Sequence, residues 1–142
     1  MTAPLTDHDI ARITRGVRDR SLPKAEWTHA AHFAAAFGLI TDPGVDAAAE
    51  MPGLIRAYNL ATGVENTDTS GYHETITLAS LRAARAWLDE RPDTSLSAVL
   101  SGLLASPYGR SDWLLAYWSK PRLFSVEARR SWAPPDLAPL PF

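Results

Sequence analysis

The chain contains no cysteine. That excludes disulfides, thiolate zinc sites, iron–sulfur clusters and a cysteine nucleophile. It agrees with a cytoplasmic protein, the compartment expected here. No apolar run approaches the roughly 20 residues that a membrane helix needs. The opening MTAPLTDHDI lacks a basic segment followed by an apolar one, so it does not read as a secretory signal. Charge of either sign is modest: 14 basic side chains against 16 acidic ones, a net charge of -2. Nothing in that balance attracts nucleic acid or an anionic membrane. The phosphate-cradling glycine loops, the nucleophile elbow and the HExxH zinc motif are also missing. The common nucleotide-using and hydrolytic chemistries therefore have no signature here.

Strand periodicity is equally scarce. ETITLASL could pass for a strand on its own. Read onward to Leu88, however, Ile76, Leu78, Leu81, Ala84, Trp87 and Leu88 recur at helical intervals. The remainder reads as helices joined by turns. Thr6 and Asp9 have capping-box spacing, with Leu5 and Ile10 placed as a hydrophobic staple. Thr28 is the expected N-cap of a second helix that TDPG ends. A short helix over VDAAAE and a separate one opened by Pro52 and closed by Gly63 should follow. Thr69 or Ser70 is expected to cap a long helix from Gly71 to about Glu90. Asp93 or Ser95 should start the next. DWLLAYW is a short helix, and Ser125 caps a last one. At 142 residues the chain suits one domain. The expected fold is all-α, a single-domain helical bundle of five to seven helices over residues 1–142. Residues 133–142 form an extended proline-rich tail expected to pack back on the body.

Chemistry concentrates in the histidines, of which there are only four. His29 and His32 lie three residues apart in WTHAAHF. On a helix that is about 60° in azimuth and about 4.5 Å along the axis, so both rings can converge on one point. His73, in SGYHETITL, is placed to supply a third imidazole from a neighbouring helix. Three histidines with open positions suit a divalent transition metal such as zinc, iron or nickel, since all-nitrogen ligation disfavours magnesium and calcium. Glu74 and Tyr72 beside His73 are candidates for moving protons. Trp27, Tyr58, Asn59, Asn66 and Thr69 are candidates for holding a small-molecule substrate. The oxygen-rich run from Asn66 to Thr69 precedes a helix N-terminus, which favours an anion. Glu26 extends the motif to ExxHxxH, but Thr28 as N-cap leaves Glu26 outside the helix, so a di-iron site is disfavoured. Arg110 could face a substrate carboxylate, although a capped turn explains SPYGRSD better. His8, between Asp7 and Asp9, reads as a surface residue.

The segments WTHAAH, GYHETIT, RLFSVEARRSW and PDLAPLP resemble a family of small bacterial helical proteins without an assigned reaction. Its members carry an HxxH segment followed by a YHET segment. The resemblance covers most of the chain and implies that the two motifs act together, but it implies no activity. A looser analogy is to DinB-like bundles, which hold a metal with three histidines from neighbouring helices. Their ligand spacing is absent here, so the analogy extends to architecture alone.

Three functions stay open at this level. The first is an enzyme with a mononuclear metal on His29, His32 and His73. The second is a metal-free acid/base lyase, cyclase or isomerase using His73 and Glu74. The third is a binding or structural protein whose histidines do no chemistry. Trp113, Trp118 and Trp132 could make a homodimer patch, or could simply be core.

Overall fold

The computed structural model describes residues 4–142, so the first three residues of MTAPLTDHDI lie outside the described residues. The described residues contain seven α-helices and no strand: α1 (Asp7–Arg18), α2 (His29–Ile40), α3 (Ala47–Ala61), α4 (Glu74–Asp89), α5 (Leu96–Ala105), α6 (Lys120–Leu123) and α7 (Val126–Arg130). Three single 3₁₀ turns join them, at Lys24–Glu26, Pro107–Gly109 and Trp113–Ala116.

The centre of the bundle is α2. Ala31, Phe33, Ala34, Ala35, Ala36, Phe37 and Leu39 bury most of its circumference. A helix that is apolar nearly all round belongs inside other helices. Accordingly α1, α3, α4 and α5 all pack on α2. Its alanines let the neighbours approach closely, and Phe33 and Phe37 fill the space between them. Full burial of such a phenylalanine is worth about 1.5–3 kcal/mol.

Several helix ends follow directly from the sequence. Thr6 and Asp9 form the complete capping box at α1. Thr28, Ser95 and Ser125 each cap the helix they precede, accepting from Ala31 N, Ala98 N and Ala128 N. At the far end of α3, Gly63 takes φ +84°. Gly63 N–H donates to the Leu60 carbonyl and Val64 N–H to the Asn59 carbonyl, closing a Schellman motif.

Two boundaries depart from expectation. VDAAAE and the segment after Pro52 are one helix, capped by Asp46, with Pro52 inside it. Proline there removes one intrahelical donor, the bond to Ala48 O. Ala48 is exposed, so water can satisfy that carbonyl and the helix continues. The second departure sets up the functional site. Helix α4 begins at Glu74, and its N-cap is His73 rather than Thr69 or Ser70. The segment SKPRLF contains the short helix α6.

The chain after α7 is tied to the body by named bonds. Trp118 Nε1 donates to Ala133 O at 2.8 Å, and Leu137 N to Tyr117 O at 2.9 Å. Asp136 accepts from both the backbone N and the hydroxyl of Ser119. Trp113 and Trp118 are buried in the chain's own core. Trp132 is half-buried under the Arg82 guanidinium, 4.0 Å from its ring centroid.

Candidate functional site

A cavity of about 310 Å³ opens between the N-terminal end of α2, the C-terminal half of α3 and the start of α4. Trp27, His32, Asn59, Tyr72 and His73 line it, with Ile55, Val64, Ile76 and Thr77 completing its wall. Two roomier grooves, of about 500 and 600 Å³, lie along α1 and hold no histidine. One histidine from each sequence motif, His32 and His73, therefore lines the smaller space.

The two cavity histidines are held differently. His73 is 7% exposed, and both its ring nitrogens are engaged. Nδ1 accepts from Ile76 N at 3.1 Å, which makes the ring the N-cap of α4. Nε2 sits 2.7 Å from Leu123 O. A carbonyl only accepts and a backbone N–H only donates, so the ring is neutral with its proton on Nε2. Burial pushes its pKa below the ordinary 6.5, with Arg129 adding to the effect and the Leu123 bond opposing it.

His32 presents the opposite tautomer. Its Nδ1 lies 2.7 Å from Thr28 O, so Nδ1 carries the proton. Its ring stacks on Trp27, with centroids 3.7 Å apart. Nε2 has no protein partner and is not sealed from solvent. The Nε2 lone pair thus has no protein donor, on a residue that lines the cavity. Desolvation holds this imidazole below its usual pKa, the Thr28 bond working against that and His29 with it.

His29, the other half of HxxH, is turned elsewhere. Its Nε2 donates to Tyr108 O at 2.8 Å, and the ring stands edge-on to Phe33. It does not line the cavity. Among the described residues no three His, Asp or Glu side chains are grouped to hold a metal. In this arrangement His29 Nε2 is committed to Tyr108 O, and both ring nitrogens of His73 are committed, to Ile76 N and Leu123 O.

Asn59 is 9% exposed and belongs to a small amide network. Asn66 Oδ1 accepts from Tyr72 N at 3.0 Å and from Asn59 Nδ2 at 3.0 Å, while Asn66 Nδ2 donates to Arg56 O. The Tyr72 bond fixes the orientation of Asn66, and Asn66 in turn fixes that of Asn59. Asn59 Oδ1 is left without a protein donor. Gly71 makes this possible. At φ +79°, a Cβ there would lie 2.4 Å from Glu65 O, so only glycine lets the 65–72 loop close on Asn66.

The remaining expected residues lie around this core. Tyr72 donates its hydroxyl to Glu74 Oε1 at 2.5 Å. Burial raises the phenol pKa far above its ordinary value, and the Glu74 bond adds to the effect. Tyr58 is fully buried behind Trp27, donating to Leu22 O at 2.8 Å. Thr69 is exposed in the turn before α4 and outside the cavity. Glu26 pairs with Arg12 at 2.8 Å, and Arg110 pairs with Asp112 in its own turn. Ile55, Val64, Ile76 and Thr77 were not singled out as cavity residues in the sequence, where Ile76 was read only as part of a helical stripe.

Compared with family models, curated proteins and solved structures, the chain matches none of them. No finding among them bears on the YHET resemblance.

Proposed function

We propose that this protein is a small-molecule enzyme working by metal-free acid/base chemistry, with His32 as the proton acceptor. One observation carries the reading. His32 Nε2 is an unprotonated nitrogen without a protein partner, on a residue that lines the cavity, and its ring is fixed by the Thr28 bond and the Trp27 stack. A base must reach the proton it takes, in the right tautomer, before its pKa matters. Its lowered pKa keeps the ring neutral near pH 7.

The step is a proton transfer from bound substrate to Nε2. The resulting imidazolium keeps its Nδ1–H on the Thr28 carbonyl, and the Trp27 face beside it favours a cation. Asn59 Oδ1 is free to orient a donor on the substrate. His73 would position the wall through its cap and its Leu123 bond. Isomerisation, elimination and cyclisation all begin with such a step. The metal-based reading is less well supported, because His29 and His73 already spend their Nε2 atoms on the Tyr108 and Leu123 carbonyls.

The test is a ligand screen by NMR on wild type and His32→Ala, followed by turnover assays on the compounds that bind. General-base removal should cost about 10²–10⁴-fold in turnover. A His32→Ala protein that turns over the same compounds at the wild-type rate would refute the assignment. A stoichiometric transition metal in the purified wild type, lost in His29→Ala and His73→Ala, would restore the metal reading.

A further inference from the structure

A second, more polar cleft of about 200 Å³ also has Tyr72 in its wall and is lined by Arg56, Asn66, Asp68, Arg129 and Arg130 among others. Its charges do not cancel. Arg130 is closed in a two-bond fork with Asp68, at 2.8 and 2.6 Å. That leaves two guanidinium groups. Arg56 lies 4.2 Å above the Tyr72 ring and pairs with no carboxylate among the described residues. Arg129 uses only NH1, on the carbonyls of Gly71 and Tyr72, at 3.1 and 3.2 Å. Its other nitrogens are uncommitted. Those two carbonyls hold Arg129 in place, and the aromatic face holds Arg56. Two preplaced forks beside a small cleft are the arrangement that binds planar or tetrahedral oxyanions. At the N-terminus of α4 the His73 ring already takes Ile76 N.

We propose that this cleft binds an oxyanion, the carboxylate or phosphate end of the molecule whose reacting part occupies the His32 cavity. The two spaces share Tyr72 as a common wall. The anion site stands on Arg56 and Arg129 alone; only the claim that one molecule spans both spaces rests on the acid/base reading.

The full chain is titrated with inorganic phosphate, against chloride at matched ionic strength, and followed by ¹H–¹⁵N NMR. Saturable shifts are expected at residues 66–72 and at the Arg56 and Arg129 side chains. Arg56→Gln, an exposed position, should weaken phosphate by about tenfold or more, the usual size of a charge-assisted contact. Asp68→Asn frees the Arg130 fork and should tighten phosphate. His32→Ala should leave phosphate affinity unchanged, so binding that survives while turnover fails to depend on His32 keeps this site and sinks the acid/base reading. No saturable shift in the wild type, or equal affinity in wild type, Arg56→Gln and Asp68→Asn, overturns the proposal. A cavity ligand with an anionic end that binds wild type and Arg56→Gln alike overturns the claim that one molecule spans both spaces.

Discussion

His32 and His73 face the same cavity, yet one is held as a fixture and the other is left with capacity to spare. His73 caps a helix with one nitrogen and ties that helix to Leu123 with the other. Its neighbour Thr75 continues the same seam. The Thr75 hydroxyl donates toward Ala128 O and Ser131 O and accepts from Ala133 N. Across the cavity, the backbone fixes only one side of His32. The lesson is that a histidine's role follows from its unspent hydrogen bonds rather than its neighbours in sequence. Buried polar groups are satisfied by default, so an unsatisfied one beside a cavity points to a ligand.

The largest effect should come from His32→Ala, which should abolish most turnover while leaving stability within about 1 kcal/mol, since the ring caps nothing. Urea unfolding beside an activity assay separates the two. If instead the protein unfolds easily, the contrast with His73 fails.

His73→Ala should do the reverse and lower stability by about 2–3 kcal/mol, combining a lost cap with an orphaned carbonyl. His73→Asn should recover part of the cap but not the Leu123 bond. A loss below about 0.5 kcal/mol by chemical denaturation would contradict the seam.

Acidification sharpens the same comparison. Both imidazoles have pKa values below the ordinary 6.5, chiefly through desolvation. The unfolded chain therefore binds more protons than the folded one between the lowered values and 6.5. Stability should be full above about pH 6.5 and decline as pH falls toward the folded-state values. His73→Asn should flatten part of that decline. A profile that is level in wild type, or equally steep in the variant, would contradict the assignment.

Tyr72→Phe should have the smallest effect, about 1 kcal/mol or less in stability, because Glu74 is half-buried and can turn to water. Melting curves would show it. A loss as large as that of His73→Ala would mean the Tyr72–Glu74 bond belongs to the seam.

Much of the fold was legible because helix caps are local chemistry. Thr6, Thr28, Ser95 and Ser125 announce their helices by side-chain oxygen alone. Pro52 misled because its cost depends on whether Ala48 is wet, which is a tertiary fact. Helix α4 was started too early because hydroxyls outrank imidazole as caps. Only the buried ring of His73, pinned by Leu123 fifty residues away, reverses that preference. The site's membership was partly legible too: Trp27, His32, Asn59, Tyr72 and His73 do share one cavity. Their roles were not, because helical spacing aligns His29 with His32 but cannot reveal that Tyr108 captures the first ring.

The central claim is that His32, alone of the two cavity histidines, presents a free lone pair at Nε2. Long-range ¹H–¹⁵N correlation of the imidazoles near neutral pH reads it directly. The account predicts His32 protonated on Nδ1 and His73 protonated on Nε2. The same tautomer in both rings, or an unprotonated Nε2 on His73, would contradict it.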